Sequence, residues 1–291
     1  MNIAINGKDF GDDKRVYIRQ LFELLGQRNI QYVIHEDFLA ILARYGIELA
    51  GAQVYATGSD LSEVNFMFSL GGDGTFLESV THMGRNQKPI LGINTGRLGF
   101  LANVPKERIA EGIHALMQNS FDIDQRAMVY LESDIDLFGE TSFGLNEFAI
   151  MKRDSSSMIT VITYIDGEYL NSYWGDGLIV STPTGSTGYS LSCGGPVVIP
   201  HSHNFVITPV CPHNLNVRPM VVSDSSIISF EITGRGKNFL VSLDSRSVTV
   251  DARVQLAIKK ADFKVKMIKI DQHNFLDTLR NKLNWGLDIR N

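Results

Sequence analysis

A glycine-rich segment at residues 70–75, with the sequence LGGDGT, is the part of the chain whose composition points most directly to chemistry. Glycine adopts positive φ easily and lets the backbone approach a ligand, and successive N–H groups in such a turn form an anion-binding concavity. A helix that starts here would add its positive N-terminal end. The segment therefore predicts a phosphate-binding loop formed by Gly71, Gly72, Gly74 and Thr75.

This loop matches neither of the two common phosphate fingerprints. A Walker loop carries Lys and then Ser or Thr after its last glycine, whereas here Thr75 and Phe76 follow Gly74. The dinucleotide pattern G-x-G-x-x-G would require glycine in place of Leu77.

Asp73 is the unusual member of this loop, because a carboxylate repels a polyanion unless it has a task there. It could accept the proton of an attacking hydroxyl or bind a magnesium ion. The alternative is that it caps a helix beginning near Thr75. The residues alone leave both readings open.

Three further segments carry polar groups suited to a nucleotide. Thr182–Pro196 is rich in hydroxyl and small side chains with one aromatic, which suits a base and a ribose, although a plain loop has the same composition. Asn146 and Glu147 lie between apolar β-type runs and could bind ribose hydroxyls or form a polar strand edge. Asp176 lies between two glycines, where a turn is the alternative.

The elements that must position these residues alternate in the first part of the chain. Apolar runs predict strands and 3.6-residue periodicity predicts helices. The predicted strands are Asn2–Asn6, Asn65–Leu70 and Pro89–Ile93, and the predicted helices are Asp13–Gln27, Asp37–Tyr45, Thr75–His82 and Pro105–Gln118. This alternation indicates an open, mostly parallel sheet, which binds ligands at the carboxyl ends of its strands.

From about Phe121 short β-type runs dominate, and Asp166-Gly167 is a hairpin signal between two of them. The predicted strands are Ala127–Leu131, Ser142–Met151, Met158–Ile165, Gly177–Ser181, Phe205–Pro209, Ile227–Ile232, Leu240–Leu243, Ser247–Val250, Val254–Ala257 and Phe263–Ile270. Such a series is typical of a β-sandwich. Asn274–Leu283 has helical spacing and must dock on another element, since an isolated helix of this length is marginal.

The order of these segments resembles one known family, the NAD kinases of the bacterial ATP-NAD kinase type. The matching segments are GGDGTFL at Gly71–Leu77, GINTGRLGFL at Gly92–Leu101, LNE at Leu145–Glu147, YIDGEYLNSYWGDGLIVSTPTGSTGYSLSCGGP at Tyr164–Pro196, TPVCPHNLNVRP at Thr208–Pro219 and LRNKLNWG at Leu279–Gly286. GGDGT is shared with diacylglycerol, sphingosine and phosphofructokinase-type kinases, so the long segment after NE carries most of the specificity.

The resemblance implies an α/β domain at 1–126, a β-rich NAD-binding domain at 127–270, and a C-terminal helix within 271–291 that returns to the first domain. It implies transfer of the γ-phosphoryl group of ATP to the 2′-hydroxyl of the adenosine ribose of NAD, giving NADP. A divalent metal such as Mg²⁺ would accompany ATP. The family also leads us to expect a homodimer or homotetramer.

The resemblance also assigns roles to single residues. Asp73 matches the catalytic aspartate, which would act as general base. The residues that match the family's NAD contacts are Gly74, Phe100 near the adenine, Asn146 and Glu147 as a pair, Asp176 reached from a neighbouring subunit, and Thr187, Gly188, Tyr189, Ser190, Leu191 and Ser192 around the adenosine half. No side chain is assigned as a metal ligand.

The chain departs from the family pattern at three places. Gly188 stands where many members have Ala, which loosens the loop but leaves room for the ligand. Ser157 stands where many have Arg near the NAD phosphates, so one phosphate contact is missing or comes from elsewhere. Asp244-Ser245-Arg246 resembles a family Asp-Gly-Gln turn only loosely, and Arg246 receives no role.

Composition excludes several other classes of protein. The 291 residues are 44% hydrophobic and 20% charged, which excludes a disordered chain. A net charge of -5 argues against nucleic acid and anionic membranes as partners. Two cysteines form no disulfide framework and favour a reducing, cytoplasmic location, and no apolar run is long enough to span a bilayer.

Two alternatives of other kinds remain at this stage. A lipid kinase sharing GGDGT is disfavoured by the acidic composition, and a non-catalytic NAD(P) sensor is disfavoured by the presence of Asp73. A zinc site among His201, His203, Cys211 and His213 matches no standard spacing. The sequence leaves the donor open between ATP, other triphosphates and polyphosphate, and the acceptor open between NAD and NADH.

Overall fold

The structure is a computed structural model that describes residues 1–49, 51–96, 99–153, 157–270 and 275–284. Its contacts divide the chain into two compact units. The first contains residues 1–125 together with the described residues from 265 on, and the second contains residues 126–264.

The N-terminal part alternates strands with helices. Its strands are β1 (Asn2–Gly7), β2 (Gln31–His35), β3 (Gln53–Tyr55), β4 (Phe66–Gly71), β5 (Ile90–Asn94), β6 (Val104–Pro105) and β7 (Asp122–Arg126). Its helices are α1 (Arg15–Gln27), α2 (Glu36–Arg44), α3 (Asp73–Met83) and α4 (Ile109–Met117), with short 3₁₀ turns at 12–14, 84–86 and 106–108.

Strands β3, β2, β1, β4 and β5 lie side by side in that order, and every pair among them is parallel. Strands β1, β4 and β5 are almost wholly buried because helices cover the sheet. The predicted helices and apolar strands of this part are present. Strands β2 and β3 had not been predicted, and both are short with exposed or half-buried residues at their starts.

The second unit is built from strands with one short helix. Its elements are β8 (Val129–Ser133), β9 (Phe143–Gly144), β10 (Glu147–Lys152), β11 (Ile159–Ile165), β12 (Glu168–Gly175), β13 (Gly177–Ser181), α5 (Tyr189–Ser192), β14 (Asn204–Val210), β15 (Met220–Ser223), β16 (Ile228–Gly234), β17 (Asn238–Leu243), β18 (Arg246–Asp251) and β19 (Leu256–Lys260).

These strands form two six-stranded antiparallel sheets, ordered β15-β14-β13-β10-β17-β18 and β12-β11-β16-β19-β8-β9. One hydrophobic core joins the sheets, and the stacked rings of Phe148 and Phe230, 5.5 Å apart, come from opposite sheets. The predicted β-sandwich is confirmed. The predicted hairpin is also present, with Asp166 and Gly167 both at positive φ between β11 and β12.

The last described part returns to the parallel sheet. Strand β20 (Val265–Lys269) pairs in parallel with β5 and is followed in sheet order by β7, and α6 (Phe275–Leu283) buries Leu279. The sequence placed β20 in the β-rich domain, but its hydrogen bonds belong to the first unit. Residues 271–274 and 285–291, part of the predicted closing segment, lie outside the described residues.

No helix in the described ranges is long and apolar enough to cross a bilayer.

Candidate active site

The glycine-rich loop follows β4, an interior strand of the parallel sheet, and leads directly into α3. Gly72 is the N-cap of α3, and Asp73 is its first residue. A Cβ on Gly71 would lie 2.2 Å from Oγ1 of Thr75, so glycine is required for the chain to turn this tightly. The predicted phosphate-loop residues therefore lie where backbone N–H groups and the positive end of a helix coincide.

The carboxylate of Asp73 is bound by three consecutive backbone N–H groups. Oδ2 accepts from Phe100 at 2.8 Å, and Oδ1 accepts from Leu101 at 2.9 Å and from Ala102 at 3.1 Å. The side chain does not cap α3, which has no side-chain N-cap among the described residues. Gly99 allows this approach, because a Cβ there would lie 1.8 Å from Oδ1 of Asp73.

These bonds bring Phe100 to the phosphate loop. The ring of Phe100 is half-buried and lies 5.9 Å from the ring of Phe275 on α6. Asn94 supports the same turn by accepting from the Gly96 N–H at 2.8 Å and donating to the Ala102 carbonyl at 3.3 Å. Residues 97–98 of the GINTGRLGFL segment lie outside the described residues.

Lys8 is a nearby cation that the sequence analysis did not single out. Its N–H donates to the carbonyl of Leu70 at 3.1 Å, so it leaves β1 beside the start of the loop. Its Nζ lies 2.9 Å from Oε1 of Glu78 on α3. A lysine directly after the opening strand was the available signal, because that strand end faces the same edge of the sheet.

In the second unit, Asn146 and Glu147 lie in a segment that is bound on one side by Thr182–Pro196, called here the hydroxyl-rich loop. Thr182 donates its N–H to the Asn146 carbonyl at 2.8 Å and its hydroxyl to the Leu145 carbonyl at 2.6 Å. Gly185 packs so closely that a Cβ there would lie 2.1 Å from the Asn146 carbonyl oxygen. The two segments that sequence analysis selected separately are thus in direct contact.

Glu147 carries the most perturbed carboxyl of this segment. Its Oε2 is out of contact with solvent and has no hydrogen-bond partner in the described part of the chain. Burial, with a smaller contribution from the charge of Asp244, raises the pKa of Glu147 to about 8. The side chain is therefore protonated at neutral pH, and its orphaned oxygen can pair with a polar group of a ligand.

The hydroxyl-rich loop divides into internal and outward-facing residues. Ser186 bonds to the backbone of Pro183 and Val198, and the hydroxyls of Ser190 and Thr208 lie 2.8 Å apart in the interior. The outward-facing or half-buried members are Thr187, Gly188, Tyr189, Leu191 and Ser192. The predicted set thus combines residues that shape the loop with residues that a ligand can reach.

Asp176 lies between β12 and β13 and forms an ion pair with Lys152 of β10, with Oδ1 and Nζ 2.6 Å apart. Beside it, the exposed ring of Trp174 packs on His213 at 4.7 Å between centroids. His213 makes this ring contact, and among the described residues no group of three His, Cys, Asp or Glu side chains could hold a metal ion.

The α/β unit carries a glycine-rich loop suited to phosphate, and the β-sandwich carries polar side chains suited to a nucleotide. These are features of a nucleotide-binding phosphotransferase. Two family models match the chain, the ATP-NAD kinase N-terminal domain over residues 51–121 and the ATP-NAD kinase C-terminal domain over residues 145–270. The chain belongs to the NAD kinase family.

Curated relatives extend the match to the whole chain. An NAD kinase from Cytophaga hutchinsonii is 52% identical over 292 residues, and one from Flavobacterium psychrophilum is 47% identical over 294 residues. In both comparisons the alignment covers 100% of each chain.

Two solved structures share the fold. The Archaeoglobus fulgidus NAD kinase in complex with ATP has a TM-score of 0.74 and 26% identity, with 98% of this chain and 99% of that chain covered. Yeast NADH kinase complexed with NADH has a TM-score of 0.88 and 21% identity, with 100% and 89% covered. The comparisons support neither the lipid-kinase nor the sensor alternative.

Proposed function

We propose that this protein transfers the γ-phosphoryl group of ATP to the 2′-hydroxyl of the adenosine ribose of NAD, with Asp73 as general base. The observation that carries the proposal is a carboxylate fixed at the first residue of α3, directly after a phosphate loop, in a chain 52% identical over its full length to a relative named NAD kinase. The ATP complex of the Archaeoglobus neighbour supports ATP as the donor.

The bonds of Asp73 define where it would take the proton. A carboxylate offers about four lone-pair sites, and the backbone N–H groups occupy both sites of Oδ1 and one of Oδ2. The second lone pair of Oδ2 is the position for the ribose hydroxyl. A base held in this way aims the hydroxyl oxygen at the γ-phosphorus without having to be reoriented.

The donor triphosphate would lie on the N–H groups of Gly72 and Gly74, at the positive end of α3. Lys8 would add a cation once it leaves Glu78. Mg²⁺ would enter bound to the triphosphate as part of the substrate and neutralise its charge.

The acceptor NAD would be bound by the residues that the family resemblance assigns to it. Asn146 and Glu147 would bind ribose hydroxyls, and Thr187–Ser192 would line the adenosine half. Phe100 would cover the adenine, using the half-buried ring that Asp73 positions through the backbone. Asp176 would approach the nicotinamide end of NAD bound to a neighbouring subunit.

The test is formation of NADP from NAD, ATP and magnesium, detected with an NADP-specific dehydrogenase. We expect Asp73→Asn to fold and to lose about 10²–10⁴-fold in kcat, the range supplied by general-base catalysis. The Asn side chain keeps one oxygen for the N–H groups, so NAD should still bind. Asp60→Asn is the matched control, because Asp60 lies exposed in the same unit and bonds only to Ser62 among the described residues. Near-normal turnover by Asp73→Asn would refute the assignment of the base.

The remaining parts of the proposal concern surroundings and assembly. Cys193 and Cys211 are free thiols, which supports a reducing compartment such as the cytoplasm. Exposed apolar side chains on the second unit, among them Trp174 and Leu215, support a homodimer or homotetramer.

A further inference from the structure

Asp244 binds the backbone of the Asn146–Glu147 segment in the same way as Asp73 binds the Phe100 segment. Its Oδ2 accepts from the Leu145 N–H at 2.8 Å, and its Oδ1 accepts from Asn146 at 2.8 Å and Glu147 at 3.1 Å. The N–H of Asp244 also donates to the Glu147 carbonyl at 3.0 Å. Four hydrogen bonds therefore join one residue to three consecutive residues of the segment.

Arg246 holds the preceding part of the same chain segment. Its Nη1 donates to the carbonyl of Thr141 and its Nη2 donates to the carbonyl of Phe143. The guanidinium also lies over the ring of Phe143, with Cζ 5.6 Å from the centroid. One turn between β17 and β18 thus supplies an acceptor for residues 145–147 and a two-pronged donor for residues 141 and 143.

We propose that Asp244 is a positioning residue for NAD binding, which acts with Arg246 to fix the backbone of residues 141–147 and so aim the side chains of Asn146 and Glu147 at the dinucleotide. The inference deepens the proposed function and rests on it. Asp244 does not itself contact the substrate in this scheme. It sets the direction of the two side chains that do.

The position is suited to a carboxylate in two ways. Asp244 has φ of 52°, a left-handed conformation that Asp and Asn tolerate better than most residues. At the irregular start of β10, three successive N–H groups have no partner in a neighbouring strand. The carboxylate accepts their hydrogen bonds instead. An aspartate can therefore hold the segment at a point where regular sheet pairing begins only at Glu147.

The proximity of Asp244 also contributes to the protonation state of Glu147. Burial raises the pKa of Glu147 and the Asp244 charge raises it further. Burial also raises the pKa of Asp244, while its three N–H bonds and Arg246 act in the opposite direction and favour its charged form. Tyr189 and Cys193 are the other titratable groups whose charge interacts with Glu147. Neutralising Asp244 should therefore lower the pKa of Glu147. A loss of packing that exposes Glu147 would lower it as well, so thermal unfolding of the variant is measured alongside to show that the packing is retained.

The experiment compares native protein with Asp244→Asn, since Asn keeps the left-handed backbone but replaces one acceptor oxygen with an NH₂ group. The KM for NAD should rise at least about tenfold, because hydrogen bonds to a charged group are among the strong ones. The KM for ATP and kcat should stay within about threefold. The pH at which NAD affinity inflects should move to lower pH in the variant.

Asp224→Asn is the matched control. Asp224 is a buried aspartate of the same unit, but its carboxylate pairs with Lys260 at 2.8 Å and with His203 at 3.6 Å and forms no hydrogen bond with residues 141–147. It should lower thermal stability without changing the KM for NAD. An equal rise in KM in this control would show that Asp244 acts only through general stability and would overturn the proposal.

A second variant covers the case in which Asp244→Asn does not fold. Arg246→Lys keeps the charge but cannot bind both carbonyls in a fork, and it should raise the KM for NAD in the same selective way. An unchanged KM for NAD in the folded variants, or an unshifted pH inflection, would overturn the inference. The NADP assay on the native protein separates the two proposals. Native protein that forms no NADP defeats the proposed function, whereas native turnover together with an unchanged KM for NAD in the folded variants defeats this inference alone.

Discussion

Asp73 and Asp244 have the same structural role at two places in the chain. Each carboxylate accepts N–H groups from three consecutive residues, in one case 100–102 and in the other 145–147. Three unpaired backbone donors would cost free energy in a partly buried site, and a charged acceptor contributes about 1.5–3 kcal/mol per bond. In this way an aspartate can fix the conformation of a neighbouring irregular segment and make a binding loop rigid.

Gly185 and Gly188 offer a matched pair of substitutions on the hydroxyl-rich loop. A Cβ on Gly185 would lie 2.1 Å from the Asn146 carbonyl oxygen, whereas a Cβ on Gly188 would lie 3.2 Å from the Gly185 oxygen and 3.3 Å from Oε2 of Glu147. We expect Gly185→Ala to displace Asn146, to cost about 1–3 kcal/mol of stability and to raise the KM for NAD at least tenfold. Gly188→Ala should leave the KM within about threefold.

The measurement for this pair is thermal unfolding together with steady-state kinetics at varied NAD. Many members of the family carry alanine at the position of residue 188. We therefore expect the atoms around the added Cβ to move by a few tenths of an ångström. Equal behaviour of the two variants would mean that the close approach of Gly185 to Asn146 does not govern the acceptor site.

The sequence indicated the individual candidate residues more clearly than the partners that those residues contact. Asp73, Asn146 and Glu147 stand out because a charged or amide side chain interrupts a glycine-rich or apolar run. Their contacts were not predictable, since Asp73 bonds to residues 27 to 29 positions away and Asp244 to residues 97 to 99 positions away. Local spacing carries no information on such pairs, and Asp244-Ser245-Arg246 therefore received no role from the sequence.

Helix α3 joins the proposed catalytic residue at its start to a buried imidazole near its end. His82 packs against His35, with centroids 4.5 Å apart, and against Tyr55 at 5.9 Å, and neither of its ring nitrogens has a partner among the described residues. Burial, with the neighbouring His35, lowers the pKa of His82 to about 4. The second half of α3 is therefore held by a neutral histidine.

The pKa of His82 predicts an acid-sensitive first unit. The unfolded chain binds a proton at His82 below about pH 6.5, whereas the folded chain binds it only below about pH 4, so stability falls as the pH is lowered through this window. We expect His82→Phe to remove about 1–2 kcal/mol of this loss between pH 6.5 and 4. The measurement is the free energy of unfolding in urea at several pH values.

His114→Phe, on the exposed face of α4, controls for the loss of an imidazole and the gain of a ring at a surface position. A native stability that stays flat from pH 6.5 to 4, or a His82→Phe curve parallel to the native one, would contradict the argument.

Elements with a clear period were predictable, and elements defined by long-range pairing were not. Helices α1, α2 and α3 follow their apolar spacing to within two residues at each end. Strand β20 alternates lysine with apolar residues, a pattern typical of a strand at a sheet edge, yet it lies between β5 and β7 in the sheet of the first unit. Its lysines are half-buried, and Lys269 is paired with the buried Asp124 at 2.7 Å, so a charged residue is accommodated in an internal strand by an ion pair.

At the scale of the whole molecule, the exposed apolar side chains are unevenly distributed. On the second unit Leu215 is 86% exposed and lines a groove with Leu170, Tyr173 and Met220. Trp174, 44% exposed, precedes Asp176 by two residues and contacts His213. Exposed apolar side chains close in sequence to a proposed binding residue favour coverage by another copy of the chain, which would also explain how Asp176 could serve a neighbouring subunit.

We therefore predict that the specific activity depends on the association of copies of this chain. Dilution should lower the specific activity over the same concentration range in which sedimentation velocity shows dissociation, because each site would lose the Asp176 of its neighbour. Leu215→Asp should shift both transitions to higher protein concentration by about tenfold or more, since it places a charge on an apolar contact. Val16→Asp is the control: Val16 is 64% exposed on α1 of the first unit, where an acidic residue in the first turn of a helix is tolerated. A monomer that retains full activity at the lowest concentration would show that no site depends on Asp176 of a neighbouring subunit.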